Sequence, residues 1–149
     1  MKKSLAMLIG IFMLAFCMQT FAADGPEVNE KVIRSFKLTF PDAEKVSWQE
    51  FAERYVVHFE EGDIQTVMDF DKEGNYLVSK RYYKEDKLPV NILCKLRKKY
   101  ADKKISIVTE VSTENNTDYY IKLEDATTWM TVKSDGGGSM EVVDKYKKV

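Results

Sequence analysis

Hydrophobic residues recur along the first part of the chain with the spacing of a helix and then with the alternation of strands. Four apolar residues spaced four apart predict an amphipathic helix over residues 27–40. They are Val28, Val32, Phe36 and Phe40. Pro41 ends this helix, because the residue before a proline is disfavoured in the helical region. Alternating apolar positions then predict four strands, within residues 45–51, 55–60, 64–70 and 76–83.

The same order of elements recurs in the second part of the chain. Pro89 suits the first turn of a helix, and apolar residues as far as Tyr100 predict a second amphipathic helix. Four alternating segments follow it, separated by a polar loop at 114–118 and a glycine-rich turn at 134–139. The chain therefore consists of two halves, each a helix followed by four strands.

Residue matches between the halves indicate an internal repeat. Phe36, Phe40 and Asp42 match residues sixty positions later, which are Leu96, Tyr100 and Asp102. Met68, Phe70 and Gly74 match residues sixty-two positions later, which are Met130, Val132 and Gly136. We expect two repeats, over about 28–83 and 88–146.

The repeat predicts an α+β fold, a tandem repeat of a helix plus a four-stranded antiparallel sheet, in two layers with both helices on one sheet face. The halves could join into one larger twisted sheet, or pack side by side as two α/β layers. In either arrangement the other sheet face would be open to solvent or to a partner.

The N-terminal residues 1–22 resemble a secretory signal peptide. Lys2 and Lys3 precede an apolar run of about fourteen residues, which is shorter than the roughly twenty needed for a membrane-spanning helix. A retained membrane anchor and a lipoprotein modified at Cys17 are the alternatives, and the bulky Phe16 argues against the second. Cleavage after Ala22 would leave a single domain, 23–149, in the periplasm or secreted from the cell.

Charge and cysteine content narrow the class of protein. Cleavage would leave 21 basic and 24 acidic residues, a net charge of −3, so no basic excess indicates nucleic-acid binding. Cys94 would be the one remaining cysteine, which excludes an internal disulfide. Because Cys94 lies in a helical pattern with apolar neighbours, we expect a buried, unreactive side chain.

Catalytic and metal-binding motifs are missing from the sequence. His58 is the one histidine, and we expect it on a solvated sheet face rather than in a catalytic role. The acidic segment 69–75 faintly resembles a calcium loop, but a hairpin turn at Gly74 explains the same residues. We expect a protein that is not an enzyme and has no metal or cofactor; a hydrolase is the weakest alternative.

Adjacent aromatic residues in the strands indicate that some aromatic surface is exposed. Tyr82 and Tyr83 cannot both lie in the core, because successive strand residues point to opposite faces, and the same holds for Tyr119 and Tyr120. Cross-strand packing that stiffens the sheet is one interpretation. The other is a partner-binding patch. Its candidate residues are Trp48, Tyr82, Tyr120 and Trp129.

Several motifs resemble those of the PepSY-like periplasmic proteins of Bacteroidetes. They are FKLTFPDA at 36–43, V-S-W at 46–48, YVVHF at 55–59 and FDKEGNYL at 70–77. The resemblance covers about 28–146 and is looser in the second half, where Ala101 replaces the proline and a triple glycine replaces the Gly-Asn turn. That family is similar in fold to the β-lactamase inhibitory protein, which implies tandem helix-plus-four-strand repeats, export, no catalysis and an inhibitor-like role.

Two functional hypotheses follow. The first is an exported, non-enzymatic binding protein that contacts a protein or peptide of the cell envelope through the helix-free sheet face, without nucleic acid or a stable membrane span. The alternative is a small-ligand or envelope-stress protein that binds peptidoglycan fragments, bile-type amphiphiles or a metal in a pocket between the halves. Dimerisation through an unpaired edge strand is a further expectation.

Overall fold

The computed structural model describes residues 27–149, which form two helices, one short 3-10 turn and eight strands. The helices are α1 (Glu30–Thr39) and α2 (Val90–Lys99), with the 3-10 turn at Glu85–Lys87. The strands are β1 (Glu44–Glu50), β2 (Arg54–Glu61), β3 (Ile64–Asp71), β4 (Tyr76–Tyr83), β5 (Lys104–Thr113), β6 (Thr117–Glu124), β7 (Thr128–Asp135) and β8 (Met140–Lys147). The predicted signal peptide, 1–22, lies outside these residues. No helix within 27–149 is long and apolar enough to cross a membrane.

Local interactions set the ends of both helices. The Asn29 side chain accepts a hydrogen bond of 2.9 Å from the Lys31 N–H and so caps the start of α1. α2 begins directly after Pro89, and three cationic residues occupy its last turn, where they complement the helix dipole. The two helices end alike: the N–H of Phe40 and that of Tyr100 each donate a 2.8 Å hydrogen bond to the carbonyl four residues earlier.

All eight strands belong to one antiparallel sheet in the order β1-β2-β3-β4-β5-β6-β7-β8. Six of the connections are direct, and the one between β4 and β5 contains the 3-10 turn and α2. β4 and β5 nevertheless pair along residues 78–83 and 108–113. Of the two arrangements that the sequence left open, the structure is therefore the single large sheet.

Both helices cover the same face of this sheet. Met68, which packs under α1, pairs with Ser79 of β4. Ser79, Arg81 and Tyr83 alternate along β4 and share that face. Tyr83 then pairs with Val108, which packs under α2. The expected two-layer arrangement, with helices on one side, is confirmed.

Each helix builds its own apolar cluster with the strands beneath it. The first cluster contains Val28, Val32, Phe36, Tyr55, Val57, Phe59, Met68 and Phe70. The second contains Tyr83, Leu88, Ile92, Leu96, Ile105, Val108, Tyr119, Ile121, Leu123, Met130 and Val132. The core is therefore divided into two parts.

A strip of polar residues on β3, β4 and β5 separates the two clusters. This polar seam consists of Thr66, Ser79, Arg81, Glu110 and Ser112. Arg81 Nη1 lies 3.2 Å from Glu110 Oε1, and the Tyr83 hydroxyl donates a 2.6 Å hydrogen bond to the other carboxylate oxygen. Burial, reinforced by this bond, raises the pKa of Tyr83. The Tyr76 hydroxyl donates to the Ser112 carbonyl at 2.6 Å, so the seam is closed by hydrogen bonds.

Cys94 differs from its prediction, because its side chain is exposed. α2 turns Ile92 and Leu96 into the second cluster. Cys94 lies two residues from each, which is about 200° around a helix with 3.6 residues per turn. The side chain is therefore on the solvent side of α2, and the apolar neighbours along the sequence do not surround it.

The two edge strands carry features that oppose pairing with another sheet. β1 has a register shift between Glu44 and Ser47, and β8 has one opposite Thr131 and Val132. Charged side chains are also frequent on both strands. Bulges and charges are common devices by which edge strands avoid edge-to-edge association. The expected dimerisation by sheet extension stays a prediction, and these features count against it.

The β3–β4 turn offers a test of how α1 is held on the sheet. Gly74 has φ +93°, and an added Cβ would lie 2.9 Å from Cγ2 of Val32 on α1. Because left-handed backbone strain and overpacking would add, we expect Gly74→Ala to lower the free energy of unfolding by about 2–4 kcal/mol in urea denaturation. Gly62 has φ +60° and open space around it, so Gly62→Ala should cost only about 1 kcal/mol. Equal losses would show that the turn does not pack tightly against α1.

The β6–β7 connection provides a test by pH. The Asp125 carboxylate pairs with Lys103 and accepts bonds of 2.7 Å from the N–H groups of Thr127 and Thr128. The hydrogen bond from Lys103 is the largest cause of a lowered pKa for Asp125. A carboxyl whose pKa is lowered by folding stabilises the protein above its ordinary pKa of about 4, and this stabilisation is lost as pH falls below that value.

We therefore expect Asp125→Asn to unfold at a lower urea concentration than the unchanged protein at pH 7. The difference between the two should begin to shrink as pH falls through about 4, because Asp125 then binds a proton in the unfolded chain but not in the folded protein, and it should keep shrinking at lower pH. Asp102→Asn is the matched control, since Asp102 is largely exposed and lies 3.8 Å from the same lysine. A difference that does not depend on pH would contradict the assignment of a stabilising charge to Asp125.

Candidate functional site

The helix-free face of the sheet is a surface that neither helix covers. It is built from alternate residues of each strand, because the other alternate residues lie beneath the helices. Its central part, on β4 to β7, presents Val78, Lys80, Tyr82, Ile107, Thr109, Val111, Asp118, Tyr120, Lys122, Thr131 and Lys133. This mixture of aromatic, aliphatic and basic side chains differs from the purely polar face of a sheet that contacts only water.

Tyr82 and Tyr120 lie in one row across this face. Tyr82 pairs with Thr109 of β5, and Thr109 pairs in turn with Tyr120 of β6. Their backbones are therefore two strand spacings apart, about 10 Å. The residues next to them in sequence, Tyr83 and Tyr119, are buried under α2. The prediction that each adjacent pair is split between the two faces is confirmed, and Tyr82 and Tyr120 form what we call the tyrosine pair.

Between the two tyrosines, β5 exposes small and aliphatic side chains. Ile107, Thr109 and Val111 alternate along the strand and share the helix-free face. They form the floor of a trough one strand wide, whose rims are Lys80 and Tyr82 of β4 and Asp118, Tyr120 and Lys122 of β6. We call this feature the β5 trough.

Lysines stand at the rims of the β5 trough. Lys133 Nζ lies 3.1 Å from the Asp118 carboxylate and 5.9 Å from the centre of the Tyr120 ring, and the hydrogen bond to Asp118 raises the pKa of Lys133. Lys80 and Lys122 are both exposed, and neither has a carboxylate of residues 27–149 within 4.0 Å. The centre of the face is therefore locally basic, although the whole chain has a net charge of −1.

Trp129 lies on the same face but away from the tyrosine pair. It pairs with Glu124, which is four residues along β6 from Tyr120, so the backbones of the two aromatic residues are separated by about 14 Å. Its indole is 44% exposed, and the Lys148 ammonium lies 4.2 Å from the ring centre. Tyr146 of β8 is directly opposite. Trp129 therefore belongs to a second aromatic patch near the end of the sheet.

Trp48 lies on the other face of the sheet. It pairs with the buried Val57, and its ring makes an edge contact with Phe36 of α1 at a centroid distance of 5.4 Å. A second ring contact, with Phe70, has a centroid distance of 6.1 Å. The proposal that Trp48 shares a binding patch with the other three aromatics is therefore corrected. Its side chain packs against the first apolar cluster.

His58 and the acidic turn at Gly74 show no catalytic or metal-binding arrangement. His58 is exposed on the helix-free face, where it pairs with Ser47 and Val67. Both Asp71 carboxylate oxygens accept hydrogen bonds from Asn75, each of 2.7 Å. Within 27–149 no group of three or more His, Cys, Asp or Glu side chains could hold a metal ion.

The helix side of the sheet contains one apolar cavity beside the polar seam. It has a volume of about 230 Å³ and lies between α1 and strands β3 and β4. Met68, Phe70 and Tyr76 form its floor, and Ser35 and Thr39 of α1 form its wall. This cavity is the feature nearest to the pocket between the halves that the sequence suggested.

Comparison with known proteins gives the fold but no close relative. No known protein family and no curated protein matches the chain. Three solved structures share its architecture. The first, a DUF2874 family protein from Bacteroides uniformis, has 18% sequence identity and a TM-score of 0.60, over 80% of this chain and 89% of that one.

The second, a BLIP-like protein from Bacteroides fragilis, has 16% identity and a TM-score of 0.62, over 84% and 89% of the two chains. The third, a protein from Bacteroides eggerthii named provisionally as periplasmic, has 16% identity and a TM-score of 0.60, over 80% and 88%. The chain therefore has a BLIP-like α+β fold, with two helices on an eight-stranded antiparallel sheet.

The placement of the aromatics predicts losses of stability of different size for two substitutions. Trp48→Ala should lower the free energy of unfolding by about 2–3 kcal/mol, because it removes part of the packing around Phe36. Tyr120→Ala should lower it by less than about 1 kcal/mol, because Tyr120 lies on the uncovered face. Urea denaturation of both variants measures the difference. A larger loss for Tyr120→Ala would mean that Tyr120, which is half-buried on the helix-free face, serves the fold.

Proposed function

We propose that this protein is an exported, non-enzymatic binding protein that holds a protein or peptide on the helix-free face of its sheet. The observation that carries the proposal is the tyrosine pair, Tyr82 and Tyr120, facing outward on either side of the β5 trough. Tyrosines provide large contact area at low cost in side-chain entropy, and they are frequent at the centres of protein interfaces. Trp129, at the far end of the face, would extend the contact.

The shape of the face favours a macromolecular partner. Two cavities on it have volumes of about 280 and 230 Å³, below the usual range for small-molecule sites. The β5 trough, by contrast, is one strand wide and follows β5 from Ile107 to Val111. An extended polypeptide fits such a surface better than a compact ligand. No cofactor takes part in this proposal.

We also propose that the protein acts in the cell envelope as a member of the PepSY-like group. Three observations support this: the signal-like residues 1–22, the motif FKLTFPDA at 36–43, and the fold shared with the B. eggerthii protein that is named provisionally as periplasmic. Cleavage after Ala22 would release the single domain, 23–149.

The proposal includes an origin of the fold as a tandem repeat. α1 and α2 have ten residues each and begin sixty positions apart. The hairpin glycines also correspond, although Gly138 rather than the sequence-matched Gly136 takes the place of Gly74: both have positive φ, and an added Cβ would lie 2.9 Å from Val32 of α1 at Gly74 and 2.9 Å from Lys95 of α2 at Gly138. Such agreement in position and packing supports two copies of one unit.

An inhibitor-like mode of action is the finer part of the proposal. It is supported by fold analogy with the BLIP-like B. fragilis protein, at 16% sequence identity. Fold analogy alone carries little information about a partner. Binding through the helix-free face would occlude or sense the partner without any chemical step, consistent with the missing catalytic motifs.

A small-ligand protein is the second candidate, favoured by the apolar lining of the cavity between α1 and the sheet, whose volume of about 230 Å³ restricts the ligand to a small one. Its lining is mostly apolar, so an amphiphile with a narrow hydrocarbon part would fit best. Binding there would raise the melting temperature in proportion to the logarithm of ligand concentration. Met68→Trp, which fills the cavity, should abolish that rise, whereas Tyr120→Ser should not.

The test of the leading proposal is crosslinking in living cells from a photoreactive residue at Tyr82 or Tyr120. We expect one envelope protein to be captured, and the purified partner to bind the unchanged protein directly. The double variant Tyr82→Ser, Tyr120→Ser should weaken that binding at least about a hundredfold, because two interface tyrosines are removed.

Leu38→Ser is the matched control, since Leu38 is 78% exposed on the outer side of α1. It should leave binding unchanged. If the double variant binds the purified partner as well as the unchanged protein does, the helix-free face is not the contact surface. If the crosslinks join only two copies of this protein, self-association through this face is favoured instead.

A further inference from the structure

We propose that the partner segment is an extended, acidic peptide stretch that lies along β5, with two carboxylates four residues apart and an apolar residue midway between them. This inference rests on the proposed function, because it names the chemistry that the helix-free face would recognise. It is derived from the positions of Lys80 and Lys122 relative to the tyrosine pair.

The two lysines mark opposite ends of the β5 trough. Lys80 pairs with Val111 near one end of the floor, and Lys122 pairs with Ile107 near the other. Val111 and Ile107 are four residues apart on one strand, which corresponds to about 13 Å. The lysines also stand on opposite rims, Lys80 on β4 and Lys122 on β6.

Lys80 and Lys122 have no carboxylate within 4.0 Å among residues 27–149. Lys104 is also without one, but it pairs with Glu124 beyond the end of the trough floor. Other lysines of the face are paired, as Lys45 is with Glu60 at 2.6 Å and Lys148 is with Glu124 at 2.9 Å. The trough therefore offers two ammonium groups whose natural complement is a carboxylate on the partner.

The one acidic residue on the rims of the trough is already neutralised. Asp118 pairs with Val111 on the rim opposite Lys80, and its carboxylate lies 3.1 Å from the Lys133 ammonium. A partner carboxylate bound at Lys80 would thus face the Asp118–Lys133 ion pair across the trough, and not an unpaired negative charge. The electrostatic balance at the centre of the face remains positive.

The spacing of the lysines specifies an extended segment. Side chains at positions i, i+2 and i+4 of an extended chain point to the same side and span about 13 Å, which matches the separation along β5. In a helix the same span would need about nine residues, at 1.5 Å per residue. Carboxylates at i and i+4 would reach Lys80 and Lys122, in either chain direction.

The middle position would lie over Thr109, between Tyr82 and Tyr120. An apolar or aromatic side chain there would be flanked by Tyr82 and Tyr120, whose backbones are about 10 Å apart across the trough. The recognised segment therefore has five residues, with an acidic residue at the first and fifth positions, an apolar residue at the third, and any residue at the second and fourth. Burial of the central side chain would provide affinity, and the two lysines would fix the register.

A displayed library of random nine-residue peptides, panned on the immobilised mature protein, tests this inference. Three variants are panned in parallel: Tyr82→Ser with Tyr120→Ser, Lys80→Glu with Lys122→Glu, and the control Lys37→Glu with Lys98→Glu. The control makes the same change in net charge at exposed helix positions. Thermal unfolding of every variant confirms that its fold is intact before panning.

We expect the unchanged protein and the control to enrich peptides with Asp or Glu at i and i+4 and an apolar residue at i+2. The Lys80→Glu, Lys122→Glu variant should instead enrich Lys or Arg at those two positions. A synthetic peptide from the selected set should bind this variant about tenfold more weakly than it binds the control. The same peptide should also bind the unchanged protein more weakly as salt is added.

The outcomes separate this inference from the proposed function. If the enriched peptides require Tyr82 and Tyr120 but show no preference for acidic residues, the inference of an acidic partner segment is overturned. The proposal that the helix-free face binds a peptide would still stand. Selection of acidic residues at other spacings would overturn the extended register. If no peptide depends on Tyr82 and Tyr120 at all, both the inference and a peptide-binding role for this face are refuted.

Discussion

The antiparallel pairing of β4 with β5 holds the two halves of the chain in one sheet, and the other features of the molecule depend on it. This pairing continues the alternation of faces from Met68 through Tyr83 to Val108, so both helices must lie on one side. A slip of one residue would exchange Tyr82 and Tyr83 between the core and the open surface. The register of one strand pair therefore decides both the burial of the second core and the chemistry of the helix-free face.

The polar seam explains how one sheet can carry two separate apolar clusters. Buried polar groups destabilise a protein unless they are hydrogen-bonded, and in residues 27–149 no fully buried side-chain nitrogen or oxygen lacks a partner. Arg81 and Glu110 pair across the β4–β5 interface, and two tyrosine hydroxyls complete the set. Replacing one member of the Arg81–Glu110 pair would leave an uncompensated charge in a half-buried position, whereas the apolar clusters on either side would keep their packing.

Much of the fold could be predicted from the sequence, because strand alternation and helix periodicity report directly on burial. The order of elements, the bounds of β4 and the split of Tyr82 from Tyr83 all followed from period-two patterns. Trp48 could not be placed in this way, since β1 is exposed along most of its length and its alternation does not say which face joins the core. The prediction that Cys94 is buried was wrong for a related reason, because residues adjacent in sequence do not share a helix face. The lysines of the β5 trough were missed because single charged residues in a strand normally indicate only solvent exposure.

The sequential order of the strands has a consequence for how the chain reaches its native state. Every strand pairs with its neighbours in sequence, so contacts in the sheet are local apart from the link across α2. Loop-closure entropy is then small for each step, and proteins with such short-range contacts fold quickly for their class. The first half, with its own helix and cluster, can become ordered before the second half is complete. A chain that emerges gradually, N-terminus first, would thus acquire a nucleus early and expose little unpaired edge while the remaining strands add one by one.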